Sequence, residues 1–341
     1  KDLKRRLGNI IVGYNKEGNP ITCHDLKAEG SPAVLLKDAL NPNIVQTLEN
    51  NPAIIHGGPF ANIAHGCNSV LATKMSLKLA DYTVTEAGFG ADLGAEKFLD
   101  IKCRQMGISP DAVVIVATLR ALKYHGGVAK DEVNNENEAA LKEGIHNLLK
   151  HVENIKKYGL NPIVAINKFT LDSEKEIEIL QNELKGNVEF SLLENWAKGG
   201  DGAKDLAEKV VKICEEPKNF KPIYELNFSI EGKIERVAKE IYGARNVVYS
   251  EEAKLDIEQI RNMAQNMPVC IAKTQYSFSD DPKNLLCKEP FDIHISSAEL
   301  KNGAEFVVVK TGKIMTMPGL PKHPAAENID IDDDGNIVGI F

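Results

Sequence analysis

NPAIIHGGPFANIAHGCNSVLATKMSLKLADYTVTEAGFGADLGAEKFLD, residues 51–100, decides the fold. It reads as strand, glycine turn and helix, twice over. A first strand ends at Ile55 and runs into His56-Gly57-Gly58-Pro59-Phe60, with a helix expected to open near Ala61. A second strand, Tyr82 to Glu86, runs into Gly88-Phe89-Gly90, with a helix expected from about Leu93. Glycine turns let a backbone approach a ligand closely. Helix N-termini behind such turns favour anions. Two of them in tandem predict a phosphate or carboxylate site at the carboxyl ends of parallel strands.

Working outward, Ala112–Ala117, Ile163–Ile166 and Val188–Leu192 are further short apolar runs separated by helical stretches. This alternation predicts an α/β fold, a mostly parallel sheet with helices on both faces. Residues 136–158 carry apolar side chains at Leu141, Ile145, Leu148, Leu149, Val152 and Ile155, a helical period. Residues 175–184 read as another helix. Upstream, Ile10–Tyr14 and Pro20–His24 flank KEGN as a hairpin, and 31–40 reads as a short helix. Beyond Pro217 the pattern changes: helices over 234–241 and 256–264, then strands over 269–272, 291–296 and 306–310, predict a smaller α+β unit. The expected division is 1–150, 151–217 and 218–341. Asp330-Ile331-Asp332-Asp333-Asp334-Gly335 lacks the distant Glu of a calcium loop and reads as an acidic hairpin turn.

The 341 residues are 43% hydrophobic and 26% charged, ordinary for a globular protein, with net charge −8. That balance argues against non-specific nucleic-acid binding. No apolar run approaches the ~20 residues of a membrane span. Six scattered cysteines without a C-x-x-C fit a reducing, cytoplasmic setting. His56, His65 and Cys67 do not have the spacing of a zinc site, and no metal site is expected.

The segments HGGPFANIAHGCNS (56–69) and VTEAGFGADLGAEKF (84–98) closely resemble signature segments of formate–tetrahydrofolate ligase. The resemblance continues through QTLENNPA (46–53), AKTQYSFSDD (272–281) and MTMPGLPKHPAA (315–326), and covers essentially the whole chain. It implies ATP-dependent joining of formate to N10 of tetrahydrofolate through formyl phosphate, on a P-loop NTPase-like domain. ATP with Mg2+, tetrahydrofolate and formate are the implied ligands. A homotetramer and activation by a monovalent cation are also implied. No G-x-x-x-x-G-K-[ST] string occurs here, and the chain opens KDLKRRLGNIIVGYN without Met. The expectation is a C-terminal portion that lacks an N-terminal phosphate-loop segment and is inactive alone, with catalytic residues unassigned. The alternative is a non-catalytic folate- or nucleotide-binding module.

The resemblance carries substrate binding to His56, Gly57, Gly58, Pro59, Phe60, Asn62, Glu86, Phe89 and Trp196. Asp92 flanks the same glycine turn. Phe89 and Trp196 are the implied aromatic walls of the folate pocket, because flat rings stack on aromatic faces. Asn167, Lys168, Phe169 and Asp172 match the family's NKFPTD at the nucleotide site, with Thr170-Leu171 in place of Pro-Thr. Asp172 as the cap of the next helix is the structural alternative there. Arg120, Lys123 and His125 form a possible cationic cluster at a strand end, and Lys198 lies beside Trp196.

Overall fold

The computed structural model describes residues 1–312, 314 and 322–339. Most of the 315–326 segment therefore lies outside the described residues. Val113–Ala117 (β5), Pro162–Asn167 (β6) and Glu189–Leu193 (β7) form a parallel sheet in that order, counting β1–β4 as the four strands upstream given below. The central strand β6 is buried from Pro162 to Ile166, as a run of apolar residues in a covered parallel sheet should be. Helices flank it. The longest, Glu138–Lys157, buries Leu141, Ile145, Leu148, Val152 and Ile155 of the predicted stripe and leaves its sixth member, Leu149, half-buried. It starts where the Asn137 side chain accepts from the Ala140 N–H at 3.0 Å.

Upstream lie two antiparallel ribbons. Ile11–Tyr14 (β1) pairs with Pro20–Thr22 (β2), the predicted hairpin. Asn43–Gln46 (β3) pairs with Pro52–Ile55 (β4) across the turn 47–51. The strand ending at Ile55 is thus antiparallel and outside the parallel sheet, a correction to the expected tandem units. Residues 82–86 form no strand either. Tyr82 and Val84 point outward, Val84 being 95% exposed, because no neighbouring strand pairs with this segment. The helix expected at Ala61 starts instead at Val70, capped by Ser69, and His65 lies in the preceding loop. The second glycine turn does run into a helix, residues 91–106, widened by π-type turns at Ala91–Ala95 and Phe98–Lys102.

In the C-terminal part Asn246–Tyr249 (β8), Val269–Ala272 (β9), Asp292–Lys301 (β10) and Phe306–Thr311 (β11) form a mixed sheet, order β8-β10-β11-β9. Only β10 and β11 are antiparallel. Asp330–Ile331 (β12) and Ile337–Val338 (β13) close the acidic hairpin, with Asp332 accepting from the Asp334 and Asn336 N–H groups. One continuous hydrophobic core runs from Cys67 through the parallel sheet to Val309.

Candidate active site

The second glycine turn carries the most strained residue of the site. Phe89 has φ 65°, a left-handed conformation rare for a bulky side chain. Its ring is 46% exposed and meets Phe60 edge-on, centroids 5.9 Å apart at 87°. Backbone holds it on both sides. The Gly88 N–H donates to the Gly66 carbonyl at 3.0 Å, and the Gly94 N–H donates to the Gly90 carbonyl at 2.8 Å. The two signature loops are thereby brought together. Strain of this kind persists only where the surroundings over-determine the backbone.

Both ring nitrogens of His56 have protein partners. Its Nε2 lies 2.8 Å from the Ala39 carbonyl and its Nδ1 2.7 Å from Ser69 Oγ. A carbonyl only accepts, so Nε2 carries the proton and Nδ1 accepts from the hydroxyl. Ser69 Oγ in turn accepts from the Ala72 N–H at 3.0 Å, so His56 locks a helix cap. Gly57 and Gly58 beside it present exposed backbone. Glu86 is exposed, and Cys67 beside it is a buried thiol pushed up to about 11 by that burial. Asn62 is buried, and its Oδ1 accepts from the Lys273 N–H at 3.1 Å.

Lys273 and Asp92 form a buried ion pair at 2.6 Å. Nζ also donates to the Thr274 carbonyl at 3.0 Å and to the Ser277 carbonyl, and lies 5.0 Å from the centre of the Tyr242 ring. Burial alone would raise the Asp92 carboxyl, but Lys273 holds it below the usual carboxylate range. A narrow cleft beside the pair is lined by Asp92, His125, Asn147, His151, Tyr276 and Phe278, among others. Burial lowers both histidines. Behind Asp92 on the same helix lie Glu96 and Asp100, both fully buried. Neither Glu96 oxygen has a partner, and burial together with Asp100 raises its carboxyl well above the ordinary value. Burial pushes Asp100 up to about 6 against the Tyr158 hydroxyl and Ile223 N–H that donate to it.

A second group of predicted residues lies at the carboxyl edge of β5–β7, where open α/β sheets bind ligands. Asn167 ends β6, and Trp196 sits in a short helix after β7, 92% exposed. The Arg120 guanidinium, just past β5, lies 4.3 Å from the Phe169 ring centre. Lys168 pairs with Glu174 at 2.5 Å. Asp172 is not the helix cap. Ser173 caps the helix Glu174–Leu184, while Asp172 Oδ2 accepts from the Phe169 N–H at 2.8 Å and braces the loop. The cationic cluster is reduced to Arg120. Lys123 is buried on Glu176 at 2.9 Å, and His125 faces the Asn147 amide at 3.1 Å. Lys198 pairs with Glu194.

The β3–β4 ribbon spans between the two groups. At its turn Glu49 accepts from the Gly200 N–H at 2.6 Å, near Trp196, while its other end feeds the His56 loop. Sequence reading missed Lys273 and Glu96, because charged residues are expected outside. The signal for Lys273 is its place directly after the apolar run of β9. Among the described residues no three His, Cys, Asp or Glu side chains are grouped to hold a metal. None of the described helices is long and apolar enough to cross a membrane.

Two glycine turns brought together, the half-buried Phe60 on one and the exposed Phe89 on the other, stand beside a parallel-sheet edge that carries Arg120 and Phe169. The family model described as formate–tetrahydrofolate ligase matches residues 1–341, the whole chain, and the chain belongs to that family, whose members ligate formate to tetrahydrofolate.

Proposed function

We propose that this chain carries the tetrahydrofolate side and the nucleotide-base side of an ATP-dependent formate–tetrahydrofolate ligase site. The observation that carries the reading is Phe89. A half-exposed aromatic ring is held in a left-handed turn between two glycines, edge-on to Phe60. It presents a flat apolar wall to a pteridine, and the exposed Trp196 offers a second. Asn167, Lys168, Phe169 and Asp172 form the loop that meets the purine. The backbone of Gly57 and Gly58 approaches the one-carbon group.

The reaction in this reading has two displacements. A formate oxygen attacks the γ-phosphorus of ATP and ADP leaves, giving formyl phosphate. N10 of tetrahydrofolate then attacks the formyl carbon. Inorganic phosphate departs with the oxygen that came from formate, and N10 loses its proton. Positioning and charge neutralisation dominate such transfers. Arg120, whose guanidinium lies over the Phe169 ring, is a cation at the sheet edge suited to an anionic oxygen. The setting is cytoplasmic and the assembly homo-oligomeric.

Phe89→Ala in the full gene product tests the site. The KM for tetrahydrofolate rises several-fold while those for ATP and formate stay within twofold. Equal changes in all three would sink the wall. Formate labelled with 18O tests the route, because one label must appear in the released phosphate.

A further inference from the structure

Both members of the Phe60–Phe89 pair are tied to one buried residue. Asn62, two residues after Phe60, accepts from the Lys273 N–H at 3.1 Å. Asp92, three residues after Phe89, accepts from Lys273 Nζ at 2.6 Å. The remaining two ammonium hydrogens go to the Thr274 and Ser277 carbonyls. Three donors meet three acceptors, and the side chain is fully buried. The Tyr242 ring packs against its remaining side at 5.0 Å. Nζ is thus saturated and cannot reach a substrate.

The backbone strain at Phe89 needs an opposing constraint. The Gly88 bond to Gly66 supplies one on the N-terminal side. On the C-terminal side the buried ion pair fixes the start of the helix against the loop that follows β9. From these contacts we infer that Lys273 is a positioning residue for tetrahydrofolate. It clamps the 60–62 and 89–92 segments together so that the two rings stay edge-on and the Phe89 face stays presented. The inference rests on the reading of Phe89 as a folate wall.

The test uses the full gene product. Lys273→Met alone would strand a buried carboxylate and risk misfolding. The double variant Lys273→Met/Asp92→Asn removes both charges at similar volume. It should raise the KM for tetrahydrofolate about tenfold or more and leave those for ATP and formate within twofold. In a Phe89→Ala background the same double change should add nothing, because the clamp acts through that ring. Equal factors in both backgrounds would overturn the inference. So would a crystal structure of the double variant with Phe89 still left-handed and edge-on to Phe60. If Phe89→Ala by itself leaves tetrahydrofolate use unaltered, the wall reading fails, and the crystal structure alone decides the clamp. Should the double variant not fold, Asn62→Ala, which cuts only the link to the Phe60 segment, carries the same comparison with an expected threefold effect.

Discussion

Replacing Gly94 by alanine should disable tetrahydrofolate use through the backbone, without touching any candidate ligand group. A Cβ at Gly94 would lie 2.7 Å from the Gly88 carbonyl carbon, 2.9 Å from the Ala87 carbonyl carbon, and nearer still to the Gly88 oxygen. Carbon atoms rest about 3.5–4.0 Å apart, so the chain at Gly88 must retreat by about 0.8 Å or more. It has little room. The Gly88 N–H is held by the Gly66 carbonyl, and Gly66 is itself left-handed at φ 55° against Ala61. Overpacking costs about 1–3 kcal/mol, and a backbone-on-backbone clash belongs at the upper end. The better helix propensity of alanine returns about 1 kcal/mol, leaving roughly 2 kcal/mol of destabilisation. The larger effect is on Phe89, one residue beyond the displaced atom. Misplacement near 1 Å costs up to about 100-fold in rate, so kcat/KM for tetrahydrofolate should fall roughly 10- to 100-fold. Thermal unfolding by circular dichroism and steady-state kinetics read the two effects. Gly58→Ala is the control, because a Cβ there meets no protein atom within 4 Å, and its melting temperature should be unchanged. A Gly94→Ala protein with wild-type melting and tetrahydrofolate kinetics within twofold would refute the account of how the turn is held.

Trp196→Ala should leave stability within about 0.5 kcal/mol, since the ring is 92% exposed, yet raise the KM for tetrahydrofolate far more than that for ATP; equal shifts in both constants would remove it from the folate wall. Asp172→Ala frees the Phe169 N–H, which should raise the KM for ATP with little change for formate and a loss of about 1 kcal/mol in stability. A lower melting temperature with unaltered nucleotide kinetics would confine Asp172 to bracing the loop. Asp100 holds its proton up to about 6 in the native state but only to 3.8 when unfolded. The stability it contributes is therefore complete below about pH 4 and is lost as the pH rises through 6. Between pH 4 and 7 the melting difference between wild type and Asp100→Asn should move in the variant's favour by roughly 3 kcal/mol at most; a constant difference across that range would show Asp100 ionised throughout.

The parallel sheet was legible because β5, β6 and β7 are short apolar runs between strongly periodic helices, and burial on both faces demands that pattern. The helix Glu138–Lys157 announces itself by the stripe it buries. The ribbon β3–β4 was not recognised, since apolar character alone does not say which neighbour a strand takes. Its partner, Asn43–Gln46, is wholly exposed and gives no hydrophobic signal. Tyr82–Glu86 alternates like a half-buried strand, but alternation names a face without supplying a sheet to bury it. At the site, the glycine turn and the exposure of Phe89 could be read from the local sequence, while a folate-wall role for Phe89 was implied only by the family resemblance. The burial of Lys273 could not, because it depends on Asp92, about 180 residues upstream, and on the carbonyls of its own 274–277 loop, which only the folded chain brings to one point. The same holds for His56, whose two ring nitrogens are satisfied by Ala39 and Ser69.

The sole tryptophan of the chain is an almost fully solvated ring. Its emission in the native protein should already resemble that of free indole in water, so unfolding will scarcely move it. Intrinsic fluorescence is therefore a poor gauge of denaturation in this molecule and a sensitive one of occupancy. A flat chromophore laid on Trp196 would quench a signal to which no other indole contributes, and titration in a simple fluorimeter would yield a dissociation constant without turnover.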